Sequence, residues 1–151
     1  MLEVEKPADM KAYIGKQIGT SEWVMVDQAM IDKFAEATGD HQWIHVDVER
    51  AKREMPGGKT IAHGYLTLSL IPWLTGGMLR IDGVSRGINY GSNKVRFTNM
   101  VPVGSKVRAR QKLLSAEARS GGMQLTNEVT IEIEGQQRPA CIAETISLVY
   151  K

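Results

Sequence analysis

Residues 61–74 read Ile61-Ala62-His63-Gly64-Tyr65-Leu66-Thr67-Leu68-Ser69-Leu70-Ile71-Pro72-Trp73-Leu74. Tyr65, Leu66, Leu68, Leu70, Ile71, Trp73 and Leu74 lie around most of a helical circumference rather than along one stripe, so a helix built from them has to be covered on several sides. The run is shorter than the ~20 apolar residues that cross a bilayer and is interrupted by a proline. It predicts a core helix, kinked in its last turn by Pro72 and closed by Gly76-Gly77.

The cover is encoded downstream, where the period changes from helical to alternating. From Lys106 to Leu113, Lys106, Arg108, Arg110 and Lys112 share one face, and Val107, Ala109, Gln111 and Leu113 the other. From Met123 to Glu134, Met123, Leu125, Val129, Ile131 and Ile133 point inward, whereas Gln124, Thr126, Glu128, Thr130, Glu132 and Glu134 point outward. Both are half-buried strands. Ser120-Gly121-Gly122 joins them as a hairpin, setting a basic outer face beside an acidic one. A third strand, Ala140 to Tyr150, is apolar on both faces, and an earlier one covers Ser21 to Val26. An antiparallel sheet with one fully apolar helix implies an α+β arrangement in which the sheet curls around the helix. The 151 residues, with neither repeat nor linker, are expected to form a single domain, 1–151.

Upstream, Met30, Ile31, Phe34, Ala35 and Ala37 predict a helix over Gln28 to Thr38, with Asp27 as N-cap and Gly39 as terminator. A short helix follows Asp47, whose carboxylate caps it, and Met55-Pro56-Gly57-Gly58 ends it. Between the two, Gly39-Asp40-His41-Gln42-Trp43-Ile44-His45 presents a carboxylate and an imidazole five positions apart, in what reads as a loop. Ile61 to Gly64 supplies free backbone N–H groups at a helix start. These are the parts for moving protons beside a polarised carbonyl. The plainer alternative makes Asp40 a turn residue, His45 a satisfied half-buried side chain and Gly64 a packing glycine.

Other classes are less well served. A net charge of +2, from 19 basic and 17 acidic residues, gives no strong field for nucleic acid or an anionic membrane. Asp40, His41, His45, Asp47 and His63 form a second, metal-ligating constellation. The loop placement and the lack of an acidic residue beside the first histidine argue against a helical zinc motif, and no cofactor is expected. Cys141 cannot form an internal disulfide, and the N-terminus lacks a secretory pattern, so a reducing cytoplasm is the expected location. Arg86, Lys94, Arg96 and Lys106 are either phosphate contacts or solvated strand charges. Ser69 is read as bonded to a carbonyl one turn back.

Phe34-Ala35-Glu36-Ala37-Thr38-Gly39-Asp40, Ile44-His45-Val46-Asp47 and Ile61-Ala62-His63-Gly64 together resemble the MaoC-like dehydratase family, nearest its nodulation protein N-like subgroup. Val95-Arg96-Phe97 and Val101-Pro102-Val103-Gly104-Ser105 are similar to a further strand and turn of that family. The resemblance covers roughly residues 22–150 and implies a hot-dog fold. It also implies (R)-specific enoyl-CoA hydratase activity, reversible as 3-hydroxyacyl-CoA dehydration, on a coenzyme A or carrier-protein thioester and in a homodimer. Asp40 and His45 would hold the water, which makes the addition syn, and the Gly64 N–H would meet the thioester oxygen. His63 would orient that turn. Gln42 and Trp43 stand where many of these hydratases carry asparagine and proline, which bears on the acyl pocket. Tyr90, Gly91 and Asn93 either line that pocket from a neighbouring strand or pack a strand end. The rival functions are a thioesterase on the same fold and a non-catalytic acyl-thioester-binding protein.

Overall fold

The computed structural model describes residues 1–151. Short strands β1 (Leu2–Val4), β2 (Gln17–Thr20) and β3 (Val24–Val26) lead into helix α1 (Gln28–Thr38). Four short helices follow, α2 (Trp43–Val46), α3 (Val48–Glu54), α4 (Gly64–Ser69) and α5 (Ile71–Thr75). The chain then runs through β4 (Leu79–Ile81) and four long strands, β5 (Arg86–Phe97), β6 (Ser105–Arg119), β7 (Gly122–Ile133) and β8 (Cys141–Tyr150).

The long strands form one antiparallel sheet in the order β2-β6-β7-β8-β5, and β3 continues the β2 edge along β6. The expected alternation holds on β6, where Val107, Ala109, Gln111 and Leu113 are all buried. On the opposite face Arg108 and Arg110 both reach Glu132 of β7, so the basic and acidic faces do meet. The inner face packs Val107, Ala109, Leu125, Val129 and Ile131 against Leu66, Leu70, Ile71 and Leu74 of α4 and α5 in one apolar cluster.

Several expectations are corrected. The continuous helix over 61–74 is instead an extended stretch followed by two helices that meet at Leu70. Residues 60–62 pair with the segment at Pro102: Ala62 N–H bonds the Val101 carbonyl and Val103 N–H the Thr60 carbonyl, both at 2.9 Å. A helical backbone would forfeit those bonds. Pro72 falls in the first turn of α5, where a missing N–H costs nothing, so it starts a helix rather than bending one. The cover is also incomplete, since Tyr65 remains 69% and Trp73 62% exposed. His45 lies not in a loop but in the single turn α2.

The β6–β7 hairpin closes through Ser120-Gly121, with Arg119 paired to Gly122. Gly121 takes a positive φ of 79°. Gly122 is needed for a different reason: a Cβ there would sit 1.9 Å from the Val149 carbonyl oxygen on β8. Gly122→Ala is therefore expected to force β7 and β8 apart and to cost about 2 kcal/mol or more. Thermal unfolding of the variant beside Gly121→Ala and the parent chain measures this.

Candidate active site

Helix α1 ends on Gly39, in the left-handed region at φ 81°, which turns the chain and delivers Asp40 at once. The Asp40 carboxylate accepts the Gln42 N–H at 3.3 Å, and α2 then carries His45 inward. The His45 ring is buried and its Nδ1 lies 2.7 Å from the Ile61 carbonyl. A carbonyl only accepts, so Nδ1 carries the proton and Nε2 keeps a free lone pair. Burial lowers the His45 pKa below its ordinary 6.5; the Ile61 bond opposes this, the nearby His63 adds to the lowering and Asp40 again opposes.

His63 supports both partners. Its ring stacks on that of His45 with centroids 3.8 Å apart, and its Nε2–H donates to the Asp40 carbonyl at 3.0 Å. Asp40, His45 and His63 thus each offer an atom within 4.8 Å of the others. These are the only members of the metal-ligating constellation that come together; Asp47 is occupied in capping α3, where it accepts the Arg50 N–H. As a metal cradle the trio is poorly aimed, because the two rings lie face to face, with their in-plane lone pairs in stacked planes. The same arrangement can serve as a proton-handling pair beside a support.

His45, Gly64, Thr67, Phe97, Asn99 and Arg138 line an open cavity of about 400 Å³. The Gly64 and Tyr65 N–H groups precede the first intrahelical bonds, which run from Leu66 and Thr67 to the His63 carbonyl. Both readings of Gly64 have support, since a Cβ there would also meet the Phe97 ring at 2.9 Å.

Other expected site residues lie apart. Trp43 stacks under the Arg50 guanidinium at 4.0 Å and, like Gln42, stands outside the wall of this cavity. Tyr90 and Asn93 stay exposed on β5, Tyr90 under Arg119, whereas Gly91 is taken up in pairing with Ile146. Ser69 lines a second cavity, and it is Thr75 that bonds back one turn, to Ile71. Cys141 is buried at the start of β8, its thiol pushed up to about 11, so it is no nucleophile.

The sequence reading missed Gln28, the first residue of α1. Its Nε2 donates to the His45 carbonyl at 2.8 Å and its Oε1 accepts the Thr60 hydroxyl at 2.6 Å. Nothing in its local sequence marks it, because both partners are distant in the chain. Asn99 and Arg138 were missed for the same reason.

Residues 9–135 match the family defined by the MaoC like domain. The chain is 50% identical over 147 residues to 3-hydroxyacyl-thioester dehydratase Z of Mycobacterium tuberculosis, covering 97% of each. It is 49% identical over 144 residues to nodulation protein N of Rhizobium leguminosarum bv. viciae, covering 94% of this chain and 89% of the other. Among solved structures, a monoamine oxidase regulatory protein from Archaeoglobus fulgius superposes with TM-score 0.78 at 25% identity, over 99% and 97% of the two chains. An (R)-hydratase from A. caviae involved in PHA biosynthesis superposes with TM-score 0.72 at 23% identity, over 89% and 94%. The chain belongs to the MaoC-like dehydratase family, and its fold is the hot dog.

Because the folded chain resists protonating His45, the unfolded chain binds the additional proton as pH falls through 6.5, and stability drops with it. Between pH 7 and pH 5 the parent chain is expected to lose melting temperature faster than His45→Gln. An imidazole NMR titration is expected to place the His45 midpoint below 6.5.

Proposed function

We propose that this protein is an (R)-specific enoyl-thioester hydratase, working reversibly as a 3-hydroxyacyl-thioester dehydratase. The observation that carries the reading is a buried His45, its Nδ1 bonded to the Ile61 carbonyl, set within 4.8 Å of the Asp40 carboxylate at a cavity that Gly64 also lines. In the hydration direction, water lies between Asp40 and His45 Nε2. The imidazole lone pair takes a proton as the water oxygen bonds to C3 of the enoyl chain. Negative charge grows on the thioester oxygen, where the Gly64 N–H receives it. The Asp40–His45 pair, having gained one proton, returns one to C2 on the same face, so the net change is syn addition of one water. Since α4 has only six residues, the local N–H rather than a long helix dipole does this work.

The carrier is coenzyme A or a carrier protein, and Arg138 on the cavity wall is a candidate phosphate contact. The working unit is a homodimer in the cytoplasm. Strand β5 has one neighbour, β8, and is exposed along most of its length, which leaves an edge for a second copy.

Asp40→Asn and His45→Gln are each expected to lower hydration of trans-2-enoyl-CoA by about 10²- to 10⁴-fold with little change in melting temperature at pH 7. The double variant should be little worse than either, as for groups acting as one unit. Loss of enoyl absorbance measures the rate; an undiminished single variant would remove the pair from the mechanism, and release of free thiol would favour a thioesterase.

Chiral analysis of the 3-hydroxyacyl product provides an independent check. One face delivers both oxygen and proton, so a single enantiomer is expected, assigned (R), and a racemic product would contradict this geometry.

A further inference from the structure

The inner face of the sheet is not apolar throughout. Beyond the core, Asn89 and Ser92 on β5, Gln111 on β6, Asn127 on β7, and Thr145 and Ser147 on β8 line a second cavity of about 540 Å³. Its opposite wall is the end of α4 and the body of α5, through Leu68, Ser69 and Pro72. The polar residues are in register: Thr145 pairs with Asn127 on one side and Ser92 on the other, and Ser147 pairs with Asn89. They therefore form a polar band across three adjoining strands, under a helix.

Such a band is costly to leave empty of partners. Gln111 is 9% and Asn127 7% exposed, and the Asn127 side-chain oxygen is buried with no hydrogen-bond partner. A buried amide oxygen without a partner destabilises the fold that holds it. Placed against a plain alkyl chain, the band would lose its water and gain nothing in return.

The two cavities follow one another along α4 and α5. Gly64 and Thr67 belong to the first, and Leu68, Ser69, Ile71 and Pro72 to the second. At 1.5 Å per residue the second begins about 6 Å beyond Gly64 and reaches about 12 Å. An acyl chain whose thioester oxygen is held at Gly64 therefore brings its atoms on the order of five to ten carbons from the carbonyl beside the band.

Resting on the hydratase reading above, we propose that this second cavity receives the distal acyl chain and selects chains that carry a hydroxyl group there over plain alkyl chains. A hydroxyl both donates and accepts, so it suits the Asn127 amide and the Thr145 and Ser147 hydroxyls that line the cavity. Discrimination comes mostly from the polar groups that the unsubstituted chain leaves unpaired.

The test compares trans-2-octenoyl-CoA with its 8-hydroxy derivative on the full chain, with crotonyl-CoA, too short to reach the band, as reference. The hydroxylated substrate is expected to have a kcat/KM at least tenfold higher than the plain one. In Asn127→Leu, and in the isosteric Thr145→Val should the first fail to fold, that ratio should fall towards one. A plain chain used as well as or better than the hydroxylated one, or a ratio unmoved in a folded variant, overturns the proposal. Failure to hydrate any of the three enoyl thioesters would instead overturn the hydratase reading. The cavity is then judged by calorimetry with saturated octanoyl-CoA and 8-hydroxyoctanoyl-CoA, where tighter binding of the hydroxylated thioester supports it and equal affinity overturns it.

Discussion

The peptide groups on either side of Ile61 hold the site together. Its N–H bonds the Ile44 carbonyl at 3.0 Å, and its own carbonyl takes the His45 Nδ1–H at 2.7 Å. One extended residue therefore fixes both the backbone of the α2 turn and the tautomer of the imidazole that turn carries. Gln28 closes the arrangement from α1, joining the His45 carbonyl to the Thr60 hydroxyl. Because residues 60–62 must stay extended to make these bonds, the apolar helix cannot begin until Gly64. The late start leaves the N–H groups of Gly64 and Tyr65 unclaimed beside the imidazole. The chemistry and the helix boundary thus share one cause.

How a carboxylate and a neutral imidazole can share this corner follows from their different surroundings. His45 is buried under His63, and burial favours its uncharged form. Asp40 is exposed, with a neighbouring N–H on its carboxylate. The two are kept close in space, one packed under a second ring and the other in solvent. His63 braces both groups: its ring stacks on His45 and its Nε2–H donates to the Asp40 backbone carbonyl.

Much of this was legible in the sequence, and the exceptions have physical reasons. Asp27 does cap α1 through the Met30 N–H, and Gly39 does end it, because capping is local chemistry. Strands β6 and β7 declared themselves because one face of each is buried. Strand β5 did not, and was suggested only by the resemblance: Arg86 to Phe97 is exposed along most of its length and shifts register near Gly91 and Lys94, so no alternation survives. Thr126 and Asn127 break the alternation of β7 by both being buried, and reading the inward face as uniformly apolar concealed the polar band. The α2 turn was invisible because only tertiary bonds stabilise a single turn.

The largest departure from the sequence reading concerns the cover of the apolar helix, and it bears on what one chain can do alone. Tyr65 and Trp73 sit on α4 and α5 but face outward, and Tyr65 meets Phe97, also exposed, edge to face at 5.9 Å. Phe97 is the same ring that closes over Gly64. An aromatic pair left in water is free to move, and its movement would reach the glycine that the hydratase reading assigns to the thioester oxygen. In the proposed homodimer a second copy along the β5 edge would exclude water from this pair and hold Phe97 in place. In that assembly the last side of the cover that the composition demands would come from the partner, and the dryness of the cavity would depend on assembly.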